Sequence, residues 1–486
     1  MNILFVISEV EDLAKTGGLA DVGKALPLAL KAMGHDVRIV KPYYRDMAHK
    51  YQLVNETEEQ CLNAGGRQYR FHIKRLELER VPVYCVDYPD YFHRAGLYSD
   101  GYQPFDDNGE RFAFFSMAAL ETAKAIDFHP DIIQCNDWHT ALCPYFAERD
   151  NSGFFKDTRT LLTIHNGAFQ GAYPLREIPC LQHDPKLISQ TNEYGEINFL
   201  RLGVQYASKI NAVSPNYASE LLTPLGSHHL YQSFFQRRQD VSGILNGCDY
   251  SQWDPATDPL LPAHFGPEEI SGKTDCKRAL QQQFGLEPAP DIPLIGMLCR
   301  LTEQKGFGFL LPILEQVLQH RVQLIIVGTG DPGISDELTR VQHRNPAQFV
   351  YCNDFSNTLA HNVEAASDFF LMPSLFEPCG LNQMYSLAYG TLPIVRAVGG
   401  LADTVIDVSA APESATGFVF QSPDSSALLH CIRRALLFYY EYPDRFRQVQ
   451  KRAMQTRFTW QEAAEHYVAL YQQALEAPKH CPDRKY

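Results

Sequence analysis

With 486 residues the chain exceeds what one hydrophobic core organises, so two or three domains are expected. Its 43 Lys plus Arg against 57 Asp plus Glu give a net charge of −14, which argues against nucleic acid and anionic membranes as main partners. Apolar residues make up 45%, yet no run approaches the ~20 uninterrupted apolar residues of a membrane span. The opening MNILFVISEV lacks the basic segment and small-residue cleavage site of a signal peptide, and it is read as a buried first strand of a cytoplasmic protein. The 12 cysteines are scattered without a CxxC pair, and Cys85, Cys135 and Cys352 fall inside apparent strands. This argues for reduced, buried thiols rather than a disulfide framework or a zinc site.

Short β-rich apolar runs alternate with helix-like spacers along the whole chain. The first series is 2–8 (NILFVIS), 36–42 (DVRIVKP), 81–87 (VPVYCVD), 131–137 (DIIQCND), 160–166 (TLLTIHN) and 210–214 (INAVS). The second is 293–300 (PLIGMLCR), 322–328 (VQLIIVG), 349–354 (FVYCND), 368–374 (DFFLMPS) and 392–398 (LPIVRAV). Near-continuous hydrophobic strands separated by helical segments predict parallel sheets covered on both faces, and two series predict two doubly wound α/β domains. A cluster of Pro, Asp and Gly at 246–262 places the join, giving domains 1–250 and 251–457. At the end, FTWQEAAEHYVALYQQAL predicts an amphipathic helix, with Thr459 and Glu462 in capping-box spacing.

Open parallel sheets bind ligands beyond the carboxyl ends of their strands, so the residues that follow each predicted strand are the candidates. After the first strand comes KTGGLADV (15–22): Gly17 and Gly18 let backbone N–H groups approach an anion at a helix start, and Lys15 adds a full charge. The plainer reading is a glycine turn with a solvated lysine, Asp21 merely complementing the helix dipole. GGLAD recurs at 399–403, again after a strand but without the lysine. It is either a tight strand-to-helix turn or a second wall of the same anion site.

NDWH (136–139) and IHNGAFQG (164–171) bring Asp137, His139 and His165 to two strand ends. Metal ligation lacks the usual spacing. CRLTEQKG (299–306) offers Arg300 as a phosphate clamp and Lys305 as a point charge, as a departing diphosphate requires. FEPCGL (376–381) sets Glu377 beside Gly380 and a helix starting near Asn382, a pairing suited to a ligand with hydroxyls at one end and phosphates at the other. A helix-capping glutamate is the alternative. VGTGDPG (327–333) contains the GxGxxG of dinucleotide folds, but Pro332 and the mid-chain position weigh against a dehydrogenase.

Together KTGGLADV, NDWH, IHN…QG, CRLTEQKG, FEPCGL, GTLPIVR and GGLADTV, in this order over essentially the full length, resemble the bacterial glycogen synthase and plant starch synthase family. The resemblance implies two Rossmann-like domains of the GT-B type facing a central cleft, with a C-terminal helix (458–486) crossing back to the first. It implies retaining transfer of glucose from ADP-glucose to the 4-hydroxyl at the non-reducing end of an α-1,4-glucan, such as glycogen or a maltooligosaccharide, without metal or cofactor. The oligomeric state is left open.

Under this resemblance Lys15, Gly17 and Gly18 meet the donor diphosphate from one side, and Arg300 and Lys305 from the other. Glu377 binds the glucose hydroxyls or steadies the developing positive charge, and His165 lies beside the transferred glucose. Asp21, Asp137 and Asn246 line the donor and acceptor cleft. Phe355 stacks on adenine, and Gly380, Leu381, Asn382 and Thr391 complete the donor site. Asn108, Arg111 and His139 are assigned to the acceptor side. The family often has His, Leu, Ser and Thr where Asn136, Gly167, Cys299 and Asn382 stand, and none of these departures removes a charged group. The implied mechanism is front-face attack, with double displacement through Glu377 or Asp137 as the alternative. The rivals are a related enzyme using UDP-glucose or another acceptor, and a glucan-priming or glucan-binding scaffold. The retained Lys15, Arg300, Lys305 and Glu377 oppose the scaffold, because binding alone needs no diphosphate cradle.

Overall fold

The structure is a computed structural model that describes residues 1–478 apart from Gln52 and Tyr102. The chain divides into two compact units, one formed by Met1–Asn246 with the segment that begins at Trp460, the other by Gly247–Thr459. The sequence boundaries at 250/251 and 457/458 lie within a few residues of these divisions.

The strands of the first unit are β1 (Asn2–Val6), β2 (Asp36–Pro42), β3 (Gln60–Ala64), β4 (Arg67–Leu78), β5 (Val81–Asp87), β6 (Ile132–Asn136), β7 (Arg159–Ile164), the short pair β8 (Ala172–Pro174) and β9 (Glu196–Asn198), β10 (Lys209–Ala212) and β11 (Val241–Gly243). Nine of them form one sheet in the order β11-β10-β7-β6-β1-β2-β5-β4-β3. The order is parallel as far as β5, after which β4 and β3 add an antiparallel edge. The apolar runs correspond to six of the parallel strands, and the three-residue β11 at the other edge lies outside them. The antiparallel edge escaped them because β4 buries only alternate residues, Tyr69, Phe71 and Ile73, between polar neighbours. That is the pattern of a half-solvated strand.

Ile3, Leu4, Phe5 and Val6 of β1 are all 0% exposed, which explains their unbroken apolar character. Ile3 and Phe5 share a core with Leu26 and Leu30 of the helix Gly18–Ala32 and with Ala464, Tyr467 and Tyr471 of the helix Trp460–Glu476. The terminal helix therefore belongs to the first unit. Its two tyrosines satisfy their hydroxyls inside that core: Asn211 Nδ2 donates to Tyr467 at 3.0 Å, and Tyr471 donates to Gln134 Oε1 at 3.2 Å.

The second unit carries β12 (Leu294–Leu298), β13 (Gln323–Val327), β14 (Phe349–Cys352), β15 (Phe369–Met372), β16 (Leu392–Arg396) and β17 (Phe418–Phe420), an all-parallel sheet in the order β14-β13-β12-β15-β16-β17. Ile295, Met297, Leu324 and Ile326 feed a core on one face, while Leu294, Leu298, Ile325 and Val327 feed another on the opposite face. Two-sided burial again removes any alternation from the sequence.

Each sheet has one place where the strand order reverses: between β1 and β6 in the first unit, and between β12 and β15 in the second. Helices on opposite faces diverge there and leave a crevice at the carboxyl ends of the strands.

Candidate active site

The first unit's reversal point carries three strand exits: Ser8–Glu9 after β1, Asn136–Asp137 in and after β6, and His165 after β7. Asp137 adopts φ 57° and ψ −174°, a region that costs a non-glycine residue about 1–3 kcal/mol. Its hydrogen bonds hold it there. The Asp137 N–H donates to Thr163 O at 2.9 Å, and Asp137 Oδ1 accepts from the His165 and Asn166 N–H groups at 2.7 and 3.3 Å. Burial pushes its carboxyl up to about 7, against the pull of those N–H groups. Burial also brings His165 and His139 down to about 3, so both imidazoles are neutral at pH 7. His139 packs against Tyr98, the ring centroids 4.6 Å apart and the planes tilted by 31°, and its Nδ1 is buried without a partner among the described residues. Asn246 is buried, and its Oδ1 is likewise unpartnered.

Lys15 is exposed and pairs with Asp21 at 2.8 Å and Glu11 at 2.9 Å. Burial alone would lower the ammonium, but the two carboxylates outweigh it and raise it. For Asp21 burial wins over Lys15, and the carboxyl lies above its ordinary range. The loop is organised by a residue that sequence reasoning missed. Glu9, 3% exposed, accepts from Thr16 N at 2.5 Å, Thr16 Oγ1 at 2.7 Å, Gly17 N at 3.3 Å and the Tyr98 hydroxyl at 2.7 Å. The Gly17 N–H is thus already engaged by Glu9, against its expected part as a phosphate donor. The signal for Glu9 was visible: it is the only acidic residue in the first ten, placed directly after an apolar strand.

In the second unit the extension of β12 carries Cys299, Arg300 and Lys305, and that of β15 carries Ser374 and Glu377. Lys305 Nζ lies 2.6 Å from Glu377 Oε2, with side-chain exposures of 19% and 9%. The Ser374 hydroxyl donates to the same oxygen at 3.0 Å. The two loops are tied through Gln304, whose carbonyl accepts from Leu375 N at 2.8 Å and whose amide donates to Phe376 O at 3.2 Å. Gly306 makes this close approach possible: at φ 84° its missing Cβ would stand 2.0 Å from Pro373 O. Arg300 is exposed and makes no hydrogen bond or ion pair among the described residues. Cys299, beneath them, has its thiol pushed up to about 12 by burial, so it stays protonated. Phe355 is 60% exposed after β14, an open aromatic face. Glu377 caps no helix. The helix Asn382–Ala388 starts from Leu381, with Gly380 at φ 72° before it.

Several expected contacts are framework instead. Arg111 is 0% exposed and donates to Tyr91 O, Leu97 O and Asn108 Oδ1, so neither it nor Asn108 (3% exposed) presents a free group to an acceptor. Thr391 is 0% exposed and bonds Lys273 Nζ, Glu364 O and Ser367 O within the unit's interior. The Asn382 amide donates to Leu298 O at 3.0 Å, fastening the helix start to β12. The second GGLAD is no anion wall. Its helix is only Gly399–Thr404, and the Gly400 N–H donates to Glu377 O and Pro378 O at 3.1 and 3.2 Å. Cβ atoms on Gly399 and Gly400 would stand 1.9 Å from Glu377 O and 2.1 Å from Cys379 O. The glycines let this turn buttress the Glu377 loop.

Two doubly wound units with cations and carboxylates at the strand-order reversals define a glycosyltransferase of the GT-B class. A family description for the starch synthase catalytic domain matches residues 2–234, and one for glycosyl transferases group 1 matches 292–437. The glycogen synthase of Aeromonas salmonicida is 51% identical over 481 residues, covering 98% of each chain, and that of Vibrio cholerae is 49% identical over 482, covering 97% of this chain and 99% of its own. The chain belongs to the glycogen synthase family, and it is a glucosyltransferase. Among solved structures, the catalytic domain of starch synthase IV from Arabidopsis thaliana bound to ADP and acarbose superposes with a TM-score of 0.86 at 29% identity, covering 98% of this chain and 99% of that one. Sucrose-phosphate synthase from Thermosynechococcus elongatus (TM-score 0.60, 18% identity, 97% and 99% covered) shares the fold.

Proposed function

We propose that this glucosyltransferase moves glucose from ADP-glucose to the 4-hydroxyl at the non-reducing end of an α-1,4-glucan, with retention, and so elongates glycogen in the cytoplasm. The observation that carries the reading is the Lys305–Glu377 pair beside the unpaired Arg300 at the second unit's strand-order reversal. A nucleotide sugar needs cations where charge grows on its diphosphate and a carboxylate where positive charge grows on its sugar. The ADP and acarbose on the Arabidopsis neighbour support an adenine nucleotide. The exposed Phe355 supplies a stacking face for its base.

In this reading the C1–O bond to the diphosphate breaks while the glucan 4-oxygen bonds C1 from the same face, and the hydroxyl proton passes to the departing phosphate oxygen. Arg300 and Lys305 supply the charge, so no metal or cofactor is invoked. Glu377 steadies the sugar. Asp137 and His165 serve the hexose and its acceptor through neutral or hydrogen-bonded groups. The test is incorporation of radiolabelled glucose into glycogen from ADP-glucose and from UDP-glucose. Preference for ADP-glucose is expected, and absence of incorporation from it overturns the proposal.

A further inference from the structure

Asn136, the last residue of β6, is 0% exposed and sits at the first unit's strand-order reversal. Its side chain bridges two groups. Nδ2 lies 3.0 Å from Val6 O at the end of β1, and Oδ1 lies 3.0 Å from His165 Nε2. Its backbone is held as well, through the N–H to Thr140 Oγ1 at 2.6 Å. The amide orientation follows from chemistry alone. A carbonyl oxygen only accepts, so the amide NH2 must face Val6, and turning the amide over would set oxygen against oxygen. The end that faces His165 is therefore the oxygen, which also only accepts. The hydrogen between them must come from the imidazole.

We propose that Asn136 is a positioning residue that fixes the tautomer of His165, with hydrogen on Nε2 and the Nδ1 lone pair open to accept from a hydroxyl of the transferred hexose; the second half of this statement rests on the function proposed above. None of the hydrogen bonds among the described residues uses Nδ1 of His165, and the residue is only half-buried. The ring is neutral at working pH because burial disfavours its charged form. One ring nitrogen is thus spent on orientation and the other reserved as an acceptor, as when a second group sets a histidine's roles elsewhere. The same carboxylate that bends the chain here helps: Asp137 Oδ1 holds the His165 N–H at 2.7 Å, so ring and backbone are fixed from two sides.

The test is 15N NMR of the whole protein labelled at histidine, with His165 assigned by its absence in His165→Gln. The expected spectrum is a neutral ring protonated at Nε2 and unchanged from pH 6 to 8. Protonation at Nδ1, or titration within that range, overturns the proposal. Two variants extend the test. Asn136→Leu releases the ring to exchange tautomers, so its two 15N shifts should converge. Its KM for the sugar donor should rise about twofold, with kcat changed far less, because only the fraction of rings with Nδ1 unprotonated can accept the hydroxyl. Asn136→Asp should stabilise the imidazolium, so that KM worsens as pH falls through a new ionisation absent from the parent. A wild-type spectrum in Asn136→Leu overturns the assignment even if its activity falls. A protein with the expected tautomer but no glucose transfer from any nucleotide sugar would instead overturn the function proposed above.

Discussion

Replacing Lys305 by Ala removes one partner from a pair that is largely out of water, 2.6 Å apart and 19% and 9% exposed. At an effective dielectric of about 20 the gross attraction over that distance is about 6 kcal/mol, most of it offset by the desolvation of both groups. The net worth of the pair is therefore small, but the cost of breaking it is not. Glu377 is left as an uncompensated carboxylate, and one-sided removal of this kind costs about 3–5 kcal/mol of stability. Separately, under the function proposed above, the transition state loses a cation facing the departing diphosphate, about 3–4 kcal/mol or 10²–10³ in turnover. The two effects separate in Lys305→Ala/Glu377→Gln. Stability should recover toward wild type, because no buried charge remains unpaired, while turnover stays depressed. Thermal unfolding and initial rates of glucose transfer measure both. Turnover of Lys305→Ala within a few fold of wild type would refute the electrostatic account.

Two other outcomes follow from the site. The Asp137 carboxyl ionises at about 7 in the folded protein against 3.8 ordinarily, so the folded state binds a proton more tightly than the unfolded chain. Its contribution to stability is present below about pH 4 and is lost as pH rises to 7. That gap, at about 1.4 kcal/mol for each pH unit, is on the order of 4 kcal/mol. Asp137→Asn keeps the oxygen that accepts from His165 and Asn166. Its stability relative to wild type should therefore climb between pH 4.5 and pH 8 in urea titrations, and a pH-independent difference would contradict this. Among the glycines, Gly399→Ala places a Cβ 1.9 Å from Glu377 O and should lower both melting temperature and turnover, whereas Gly17→Ala, with nothing within 4 Å, should melt like wild type.

Apart from the three-residue edge strands β11 and β17, the parallel strands were legible because two-sided burial writes continuous apolar runs, and the candidate residues were sought where those runs stop. The GxGxxG of 328–333 shows what such reading lacks. Gly328 and Gly330 are glycines because a Cβ on either would stand 1.8 or 2.4 Å from the carbonyls of Cys299 and Leu301. The motif thus serves a backbone that passes close to the strand extension carrying Arg300. The repeated GGLAD is similar: one string opens a 15-residue helix beside Lys15, and the other buttresses Glu377.

By itself the amino-acid order determined the central parallel strands of both sheets, the amphipathic helix that begins at Trp460, and the polar groups Lys15, Arg300, Lys305, Glu377 and Asp137 at strand ends, since each follows from local pattern. Which polar groups are free was decided only in three dimensions. Arg111 and Thr391 are spent inside the framework, while Glu9 gathers the loop that Lys15 begins and Asn136 holds His165. A hydrogen bond joins atoms that are far apart in the chain, and one already made inside the fold is unavailable to a ligand, a constraint no local pattern carries.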